Sequence, residues 1–201
     1  MTTQSRENPL SEPTKSHSYQ KPDLTRSSLR AADYEFQLYT DGSGWNDRFA
    51  GYCAVLRSDK HNKFVCSAAS IYGADTERAE FEGLLAGLQS IMDTMDWNNK
   101  HQRSLMQMRR TSVYWVTDRE HLVGAMLKKA DGSYEYKRRT TPDLWARLEW
   151  YEKIFDITAV WRERNTIAWQ GYADTIASEC RTQMKHYVEA CRAAAPYPTL
   201  V

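Results

Sequence analysis

Four acidic residues stand where predicted strands and helices begin or end, and residues of this type in this pattern indicate metal chemistry. They are Asp41, Glu80, Asp118 and Asp174. Asp41 and Asp118 each directly follow a predicted strand. Glu80 lies one turn into a predicted helix, and Asp174 lies near the start of another. Because the elements of an α/β fold meet at a crevice beyond the strand ends, the sequence predicts that the four side chains converge.

Convergent carboxylates repel one another unless cations bind them, and Mg²⁺ prefers such oxygen ligands. Two divalent ions roughly 3.5–4 Å apart can activate a water on one side of a phosphodiester and stabilise the leaving oxygen on the other. Taken singly, each acid is more simply a surface carboxylate or a helix cap. The four together predict a site for two Mg²⁺ ions, with Mn²⁺ as the alternative metal.

The composition is that of one compact domain with appendages. The chain has 201 residues, of which 41% are hydrophobic and 12% aromatic, enough for one substantial core. A net charge of +1 neither requires nor excludes a nucleic-acid partner, because a basic face can lie opposite an acidic cleft. No apolar segment approaches the roughly 20 residues that span a bilayer, and residues 1–32 lack the apolar region of a secretory signal. These features predict a cytoplasmic protein.

The cysteine spacing argues against a zinc site. The cysteines are widely separated and form no C-x-x-C pair. They are Cys53, Cys66, Cys180 and Cys191. We interpret them as buried thiols in a reducing compartment.

The order of hydrophobic periods predicts an α/β domain over residues 34–195. Alternating segments predict strands, and spacing by three and four predicts helices. The predicted strands are 34–40, 51–56, 63–72, 112–117 and 157–162. The predicted helices are one that begins at residue 76 and three that span 120–129, 141–155 and 172–194. The first three strands form an antiparallel meander and the later ones run parallel to the first, giving a five-stranded mixed sheet flanked by helices.

Three further segments carry their own predictions. Residues 1–33 are rich in Ser, Thr and Pro and predict a disordered arm, either a solvated tail or a docking arm that orders on a partner. Residues 97–111 form a long basic connection that contains methionines, either a polar surface excursion or an insertion that docks a protein or a nucleic acid. Residues 196–201 are a C-terminal tail.

In this order and local context, the four acids resemble the catalytic quartet of the ribonuclease H family. The likeness extends to segments 51–56, 78–80 and 143–148 and covers about residues 34–180. It implies a ribonuclease H-like fold, bound divalent metal, and a catalytic and metal-ligating role for all four carboxylates. It also implies endonucleolytic cleavage of the RNA strand of an RNA–DNA hybrid, leaving a 3′-hydroxyl and a 5′-phosphate.

Residues 128–141 are basic with interleaved aromatic side chains, and they resemble the basic handle with which the family grips the DNA strand. Each Lys or Arg that neutralises a phosphate releases counterions and adds affinity without reading sequence. The alternative is an ordinary solvated loop. The nucleic-acid contacts implied by the resemblance are Asn46, Thr76, Lys128, Lys129, Lys137, Arg138, Arg139 and Trp145.

The sequence departs from the family in the loops around the acids. Residues 44–50 lack the family's Gly-Asn-Pro-Gly character, Thr76 stands where many members have asparagine, and Arg119 stands where they have serine. Residues 163–171 contain no histidine, and Arg164 is the candidate electrostatic stabiliser there, although it cannot accept a proton at neutral pH. We therefore expect slower turnover than in a relative with that histidine.

Three functions are consistent with this pattern. The first is a metal-dependent ribonuclease that acts on RNA–DNA hybrids. The second is a nuclease of the same fold that acts on double-stranded RNA or DNA, and the third is a non-catalytic nucleic-acid-binding subunit of a larger complex. The intact quartet favours an enzyme, because a binding subunit has no need of a repulsive acidic cluster.

Overall fold

The computed structural model describes residues 29–45, 48–136, 138, 140–164 and 166–194. The predictions for Asn46, Lys137 and Arg139, for residues 1–28 of the arm and for the C-terminal tail fall outside these residues. The described end of the arm contains a short 3-10 helix, Ala31–Asp33. Leu29 and Ala31 pack against buried residues of the domain, so the packed unit begins a few residues before residue 34.

The first three strands form the predicted antiparallel meander. β1 (Phe36–Gly44) pairs with β2 (Phe49–Ser58), which pairs with β3 (Lys63–Tyr72). The sequence predicts that β1 stops at residue 40, but its pairing with β2 continues to Gly44 opposite Ala50. Asp41 therefore lies within a strand rather than in the turn after it.

Two parallel strands complete the predicted five-stranded mixed sheet. They are β4 (Thr111–Thr117) and β5 (Phe155–Trp161), and the sheet order is β3-β2-β1-β4-β5. β1 pairs with β4 only as far as Tyr39 opposite Val116. Asp41 and Asp118 both lie just past this last parallel pair, so the two acids lie where the parallel pairing of β1 and β4 ends.

The helices of the described residues are α1 (Thr76–Thr94), α2 (Lys100–Arg109), α3 (Glu120–Met126), α4 (Pro142–Tyr151) and α5 (Ala168–Ala194). Three bounds differ from the prediction. α3 ends at Met126 because the next residue is extended, and α4 ends at Tyr151 because Phe155 already belongs to β5. α5 begins at Ala168, ahead of the predicted start at residue 172.

The helix α2 lies within residues 97–111, a connection for which the sequence predicts no helix or strand. Its sequence shows no clear apolar period, but it consists largely of Lys, Arg, Gln, Leu and Met, which have high helix propensity. The Asn99 side chain accepts a hydrogen bond from the backbone N–H of His101 at its start. After the helix, Arg110 donates to the carbonyl of Glu152 at 2.8 Å and ties the segment to the end of α4.

The sheet separates two hydrophobic clusters. Phe36 and Leu38 of β1 belong to the larger cluster, which also contains buried residues of α1 and α4. Tyr39 points to the opposite face and packs with Ala173 and Ala177 of α5. The two-residue period of β1 therefore places α1 and α5 on opposite faces of the strand that carries Asp41.

Two glycines allow these helices to approach the sheet closely. A Cβ on Gly42 would lie 2.2 Å from the backbone nitrogen of Glu80, and one on Gly51 would lie 2.3 Å from the carbonyl oxygen of Ala177. Any larger residue at either position would therefore push α1 or α5 outwards. Gly42 thus brings the helix that carries Glu80 directly onto the strand that carries Asp41.

The cysteines are all free, but they are not all buried. Cys53 is buried, and burial raises the pKa of its thiol. Its Sγ lies 3.5 Å from Sγ of Cys66, which is exposed, as is Cys191. The prediction of buried thiols is therefore wrong for Cys66 and Cys191, whose strand and helix positions face outwards.

A search of the described part of the chain finds no helix that is both long and apolar enough to cross a bilayer.

Candidate active site

Three of the four predicted carboxylates converge. Oxygen atoms of Asp41, Glu80 and Asp118 all lie within 4.8 Å of one another. The side chain of Glu80 is fully buried and that of Asp41 is 1% exposed, whereas Asp118 is 11% exposed and opens the cluster to solvent. β1, α1 and the end of β4 each contribute one acid to this group.

Several oxygens of this cluster have no hydrogen-bond partner among the described residues. They are both carboxylate oxygens of Asp41, Oε2 of Glu80 and Oδ1 of Asp118. Buried polar atoms are normally satisfied, and each orphaned one raises the free energy of the folded state. Unsatisfied acceptors that face one another across a few ångströms are the arrangement that a hard divalent cation would satisfy.

Asp174 lies beside this group rather than inside it. It is on α5, less than two turns from the helix start, and its side chain is 29% exposed. Its Oδ1 lies 3.7 Å from a terminal nitrogen of Arg164. Asp174 is thus connected to the cluster through an arginine.

Arg164 connects three of the four acids. Its Nε donates to Oδ2 of Asp118 at 2.9 Å. A terminal nitrogen of the same guanidinium lies 3.7 Å from Asp41 and 3.7 Å from Asp174. The prediction of an electrostatic role for Arg164 agrees with these contacts, since the guanidinium places a permanent positive charge among three carboxylates.

A second arginine, Arg119, pairs with the most deeply buried acid. Its Nε donates to Oε1 of Glu80 at 2.9 Å and lies 3.6 Å from Oδ1 of Asp118. Sequence reasoning noted Arg119 as a departure from the family but assigned it no role in the site. The signal was its position directly after Asp118, because a long cation next to a strand-end acid can reach the neighbouring carboxylates.

The pKa values reflect this crowding of buried acids. Burial raises the pKa of Asp41 to about 9, and the neighbouring carboxylate charges add to the rise. Burial also raises the pKa of Glu80 to about 7, against the lowering effect of Arg119. Two carboxyl groups that hold protons near neutral pH are arranged to exchange them for a metal ion.

The handle segment forms a small hairpin. Lys128 and Tyr134 make an isolated antiparallel bridge, and Lys129 N–H donates to the carbonyl of Ser133 at 2.7 Å. Lys128 and Lys129 are exposed, although Lys129 also lies 3.8 Å from Glu135. These two lysines remain available to a nucleic acid.

Two predicted contacts of the handle face inwards instead. The Arg138 side chain is 9% exposed, pairs with Glu152 at 2.9 Å, and stacks on the rings of Tyr134 and Trp145 at 3.7 and 4.5 Å. Trp145 is 5% exposed and packs edge-on against Phe81. The prediction that these two side chains contact nucleic acid is therefore corrected, because their charge and ring surface are used within the fold.

The other predicted contact within the described residues is Thr76, at the start of α1. Its hydroxyl donates to the carbonyl of Gly44 at 2.8 Å and holds the helix start against the end of β1. Beyond Gly44, Trp45 is 69% exposed, and the guanidinium of Arg181 lies 5.0 Å from its ring centre. Sequence reasoning did not select Trp45 or Arg181, which are distant in the chain and meet only through the packing of α5 on β1.

Comparisons with known proteins identify the architecture. No family model matches the chain, and no curated protein matches it. Among solved structures, LC11-RNase H1 in complex with an RNA/DNA hybrid is similar to this chain; that protein was isolated from compost by a metagenomic approach. The two chains are 22% identical, the match covers 75% of this chain and 99% of that chain, and the TM-score is 0.57. The prototype foamy virus protease-reverse transcriptase is 17% identical over 76% of this chain and 21% of that chain, with a TM-score of 0.54.

At these identities the similarity establishes the arrangement of strands and helices. The shared features are the five-stranded mixed sheet and the helices that flank it. The predicted resemblance is thereby confirmed at the level of the fold: the chain has the ribonuclease H fold.

Proposed function

We propose that this chain is a metal-dependent endonuclease of the ribonuclease H type that cleaves the RNA strand of RNA–DNA hybrids. The observation that carries the proposal is the cluster of buried carboxylates with orphaned oxygens, located where β1 and β4 cease to pair. A structural role does not account for it, because buried like charges lower the stability of a fold unless a cation joins them.

Asp41, Glu80 and Asp118 would hold the divalent cation, and Mg²⁺ fits an all-oxygen donor set. When bound, the ion supplies Lewis-acid stabilisation of charge on the scissile phosphate and its attacking oxygen. Other residues of the chain position these ligands. Arg119 fixes the orientation of Glu80 through its hydrogen bond to Oε1.

Arg164 and Asp174 form the solvent side of the site. The guanidinium is half exposed, so a phosphate that approaches the metal would meet a positive charge beside it. Arg164 neither accepts nor releases a proton at neutral pH, so the proton that the leaving 3′ oxygen gains would come from water. This supports the slower turnover expected from the absence of a loop histidine.

The choice of an RNA–DNA hybrid rests on the fold and on the surfaces that flank the site. The similar LC11-RNase H1 structure contains an RNA/DNA hybrid. In this chain we assign strand contacts to Lys128 and Lys129 on one side and to Trp45 with Arg181 on the other. An exposed indole with a guanidinium against its ring offers a stacking surface and a charge for the phosphate next to the stacked base.

A second candidate is a nuclease of the same fold that acts on double-stranded RNA or DNA. It is favoured by the burial of side chains in and next to the handle. Arg138 is paired within the fold and Trp145 is buried, so two of the side chains that the resemblance assigns to nucleic-acid contact are unavailable. The remaining exposed lysines recognise phosphates without distinguishing RNA from DNA.

One assay separates the candidates. The purified protein is incubated with Mg²⁺ or Mn²⁺ and with end-labelled RNA–DNA hybrid, double-stranded RNA and double-stranded DNA. Asp118→Asn is the test variant, and Asp156→Asn, an exposed acid on β5, is the matched control. Hybrid cleavage lost in Asp118→Asn and kept in Asp156→Asn supports the proposal. Cleavage of the other duplexes alone supports the second candidate, and cleavage of none leaves a binding subunit.

A further inference from the structure

We infer that Arg164 takes the place of a second metal ion, so that the site binds one divalent cation between Asp41, Glu80 and Asp118. The inference rests on the proposed metal-dependent nuclease function and specifies its metal content. It differs from the two-ion site that the sequence pattern predicts, and it depends on where the two arginines lie.

The first support is the division of the four acids into two groups. Within the described residues, the carboxylates that come within 4.8 Å of one another are Asp41, Glu80 and Asp118. Asp174 contacts the guanidinium of Arg164 instead, at 3.7 Å. Arg164, a cation of the chain itself, therefore lies between Asp174 and the other acids, so a second ion held by Asp174 and a neighbouring carboxylate would meet it.

The second support is the set of contacts that Arg164 makes with the acids. Arg164 donates its Nε to Asp118 at 2.9 Å and presents another nitrogen to Asp41 and Asp174. One planar guanidinium thus hydrogen-bonds one acid and lies close enough to two more to stabilise their negative charges. A divalent ion that entered beside Asp174 would displace this group or lie against its positive charge.

The third support is the charge balance of the cluster. With metal in place of their protons, the four carboxylates would carry four negative charges, and the guanidinium groups of Arg119 and Arg164 neutralise two of them. One divalent ion brings the whole cluster to neutrality. Two ions would leave two excess positive charges in a site that is partly buried, which repulsion between cations opposes.

Arg119 does not compete in the same way. It contacts Glu80 through Oε1. The other oxygen, Oε2, has no hydrogen-bond partner in the described part of the site. Glu80 can thus keep its arginine through one oxygen and bind the ion through the other. The two arginines therefore have separate roles, since Arg119 positions a ligand and Arg164 supplies a charge.

The test is a count of bound metal. Mn²⁺ is titrated into the purified protein at pH 8, and the electron paramagnetic resonance signal of free Mn²⁺ gives the number of ions bound. We expect one ion for the wild type and for Arg164→Lys, which keeps the charge. We expect two ions for Arg164→Gln, and one again for Arg164→Gln combined with Asp174→Asn. Circular dichroism verifies that each variant is folded.

Two ions bound by the wild type, or one ion bound by a folded Arg164→Gln variant, would overturn the inference. Cleavage assays on the same preparations separate this failure from failure of the proposed function. A wild type that cleaves the hybrid but binds two ions retains the function and loses the single-ion site. A folded wild type that binds no Mn²⁺ and cleaves nothing contradicts both.

Discussion

Nε of Arg119 lies 2.9 Å from Oε1 of Glu80, a carboxylate with no exposed side-chain surface. We expect Arg119→Gln to destabilise the metal-free protein by about 2 kcal/mol, since removal of one partner leaves a buried charge unpaired while the partial exposure of Arg119 reduces the effect. Urea unfolding in EDTA measures it. The control is Arg147→Gln, which breaks an exposed pair with Glu82 at 3.0 Å and should lower stability by less than about 1 kcal/mol. Equal losses in the two variants would contradict the role assigned to Arg119.

The stability of the metal-free protein should fall as pH rises. The pKa of Asp41 is raised from 3.8 to about 9 in the folded chain and that of Glu80 from 4.5 to about 7. Between these values the unfolded chain has released protons that the folded chain still binds, so folding is favoured at the acid end of the window and weakened towards its alkaline end. Urea unfolding in EDTA from pH 5 to pH 9 tests this dependence.

The same reasoning predicts a stabilising substitution. Asp41→Asn removes the carboxylate whose two oxygens are both orphaned, and at pH 8 it should raise the stability of the metal-free protein by on the order of 2 kcal/mol. It should also flatten the pH dependence and abolish cleavage. A variant that is less stable than wild type in EDTA at pH 8 would show that burial and the neighbouring charges of the Asp41 carboxylate do not destabilise the fold.

Trp45 is predicted to contribute to substrate binding rather than to the chemical step. Loss of one stacked base is worth about 1–3 kcal/mol, so Trp45→Ala should raise KM for the hybrid by at least about fivefold with kcat nearly unchanged. The matched control is Trp150→Ala, on α4, whose ring is 45% exposed and contacts Trp97. A loss in kcat alone, or equal effects of the two substitutions, would exclude the stacking role.

Arg138 is predicted to act on stability and not on affinity. Its guanidinium is paired with Glu152 and held between two aromatic rings, so Arg138→Ala should lower the free energy of unfolding by about 2 kcal/mol. Lys128→Ala, which removes an exposed charge, should instead weaken hybrid binding and reduce its dependence on salt. Fluorescence anisotropy with a labelled hybrid and the Asp118→Asn background, at several salt concentrations, separates the two behaviours.

The sequence was sufficient for the sheet and for the acidic residues because both depend on local patterns. Alternating or continuous apolar segments predict the strands, and Asp41 and Asp118 were selected from the predicted strand ends. Asp118 does follow β4, whereas β1 continues past Asp41 to Gly44. The long apolar helix α1 was equally clear, with Asp75 as its N-cap residue. The helix α2 was not, since its sequence is mostly polar and only the high helix propensity of its residues indicates a helix.

The sequence was insufficient wherever a side chain has two possible partners. The arginines and the tryptophan of the handle region fit a nucleic-acid surface as well as a packed one, and only the tertiary arrangement shows that Arg138 and Trp145 serve the core. Likewise, Arg119 and Arg164 come from different loops, and their shared position among the carboxylates depends on how β4 and β5 lie side by side.

Cleavage of a labelled RNA–DNA hybrid by the purified protein, with and without divalent metal, tests the central claim most directly. The account predicts Mg²⁺- or Mn²⁺-dependent cuts within the RNA strand, with 5′-phosphate and 3′-hydroxyl ends, that disappear in EDTA and in Asp118→Asn but persist in Asp156→Asn. Cleavage that continues in EDTA, or that is equal in the two asparagine variants, would contradict a metal-dependent nuclease centred on Asp41, Glu80 and Asp118.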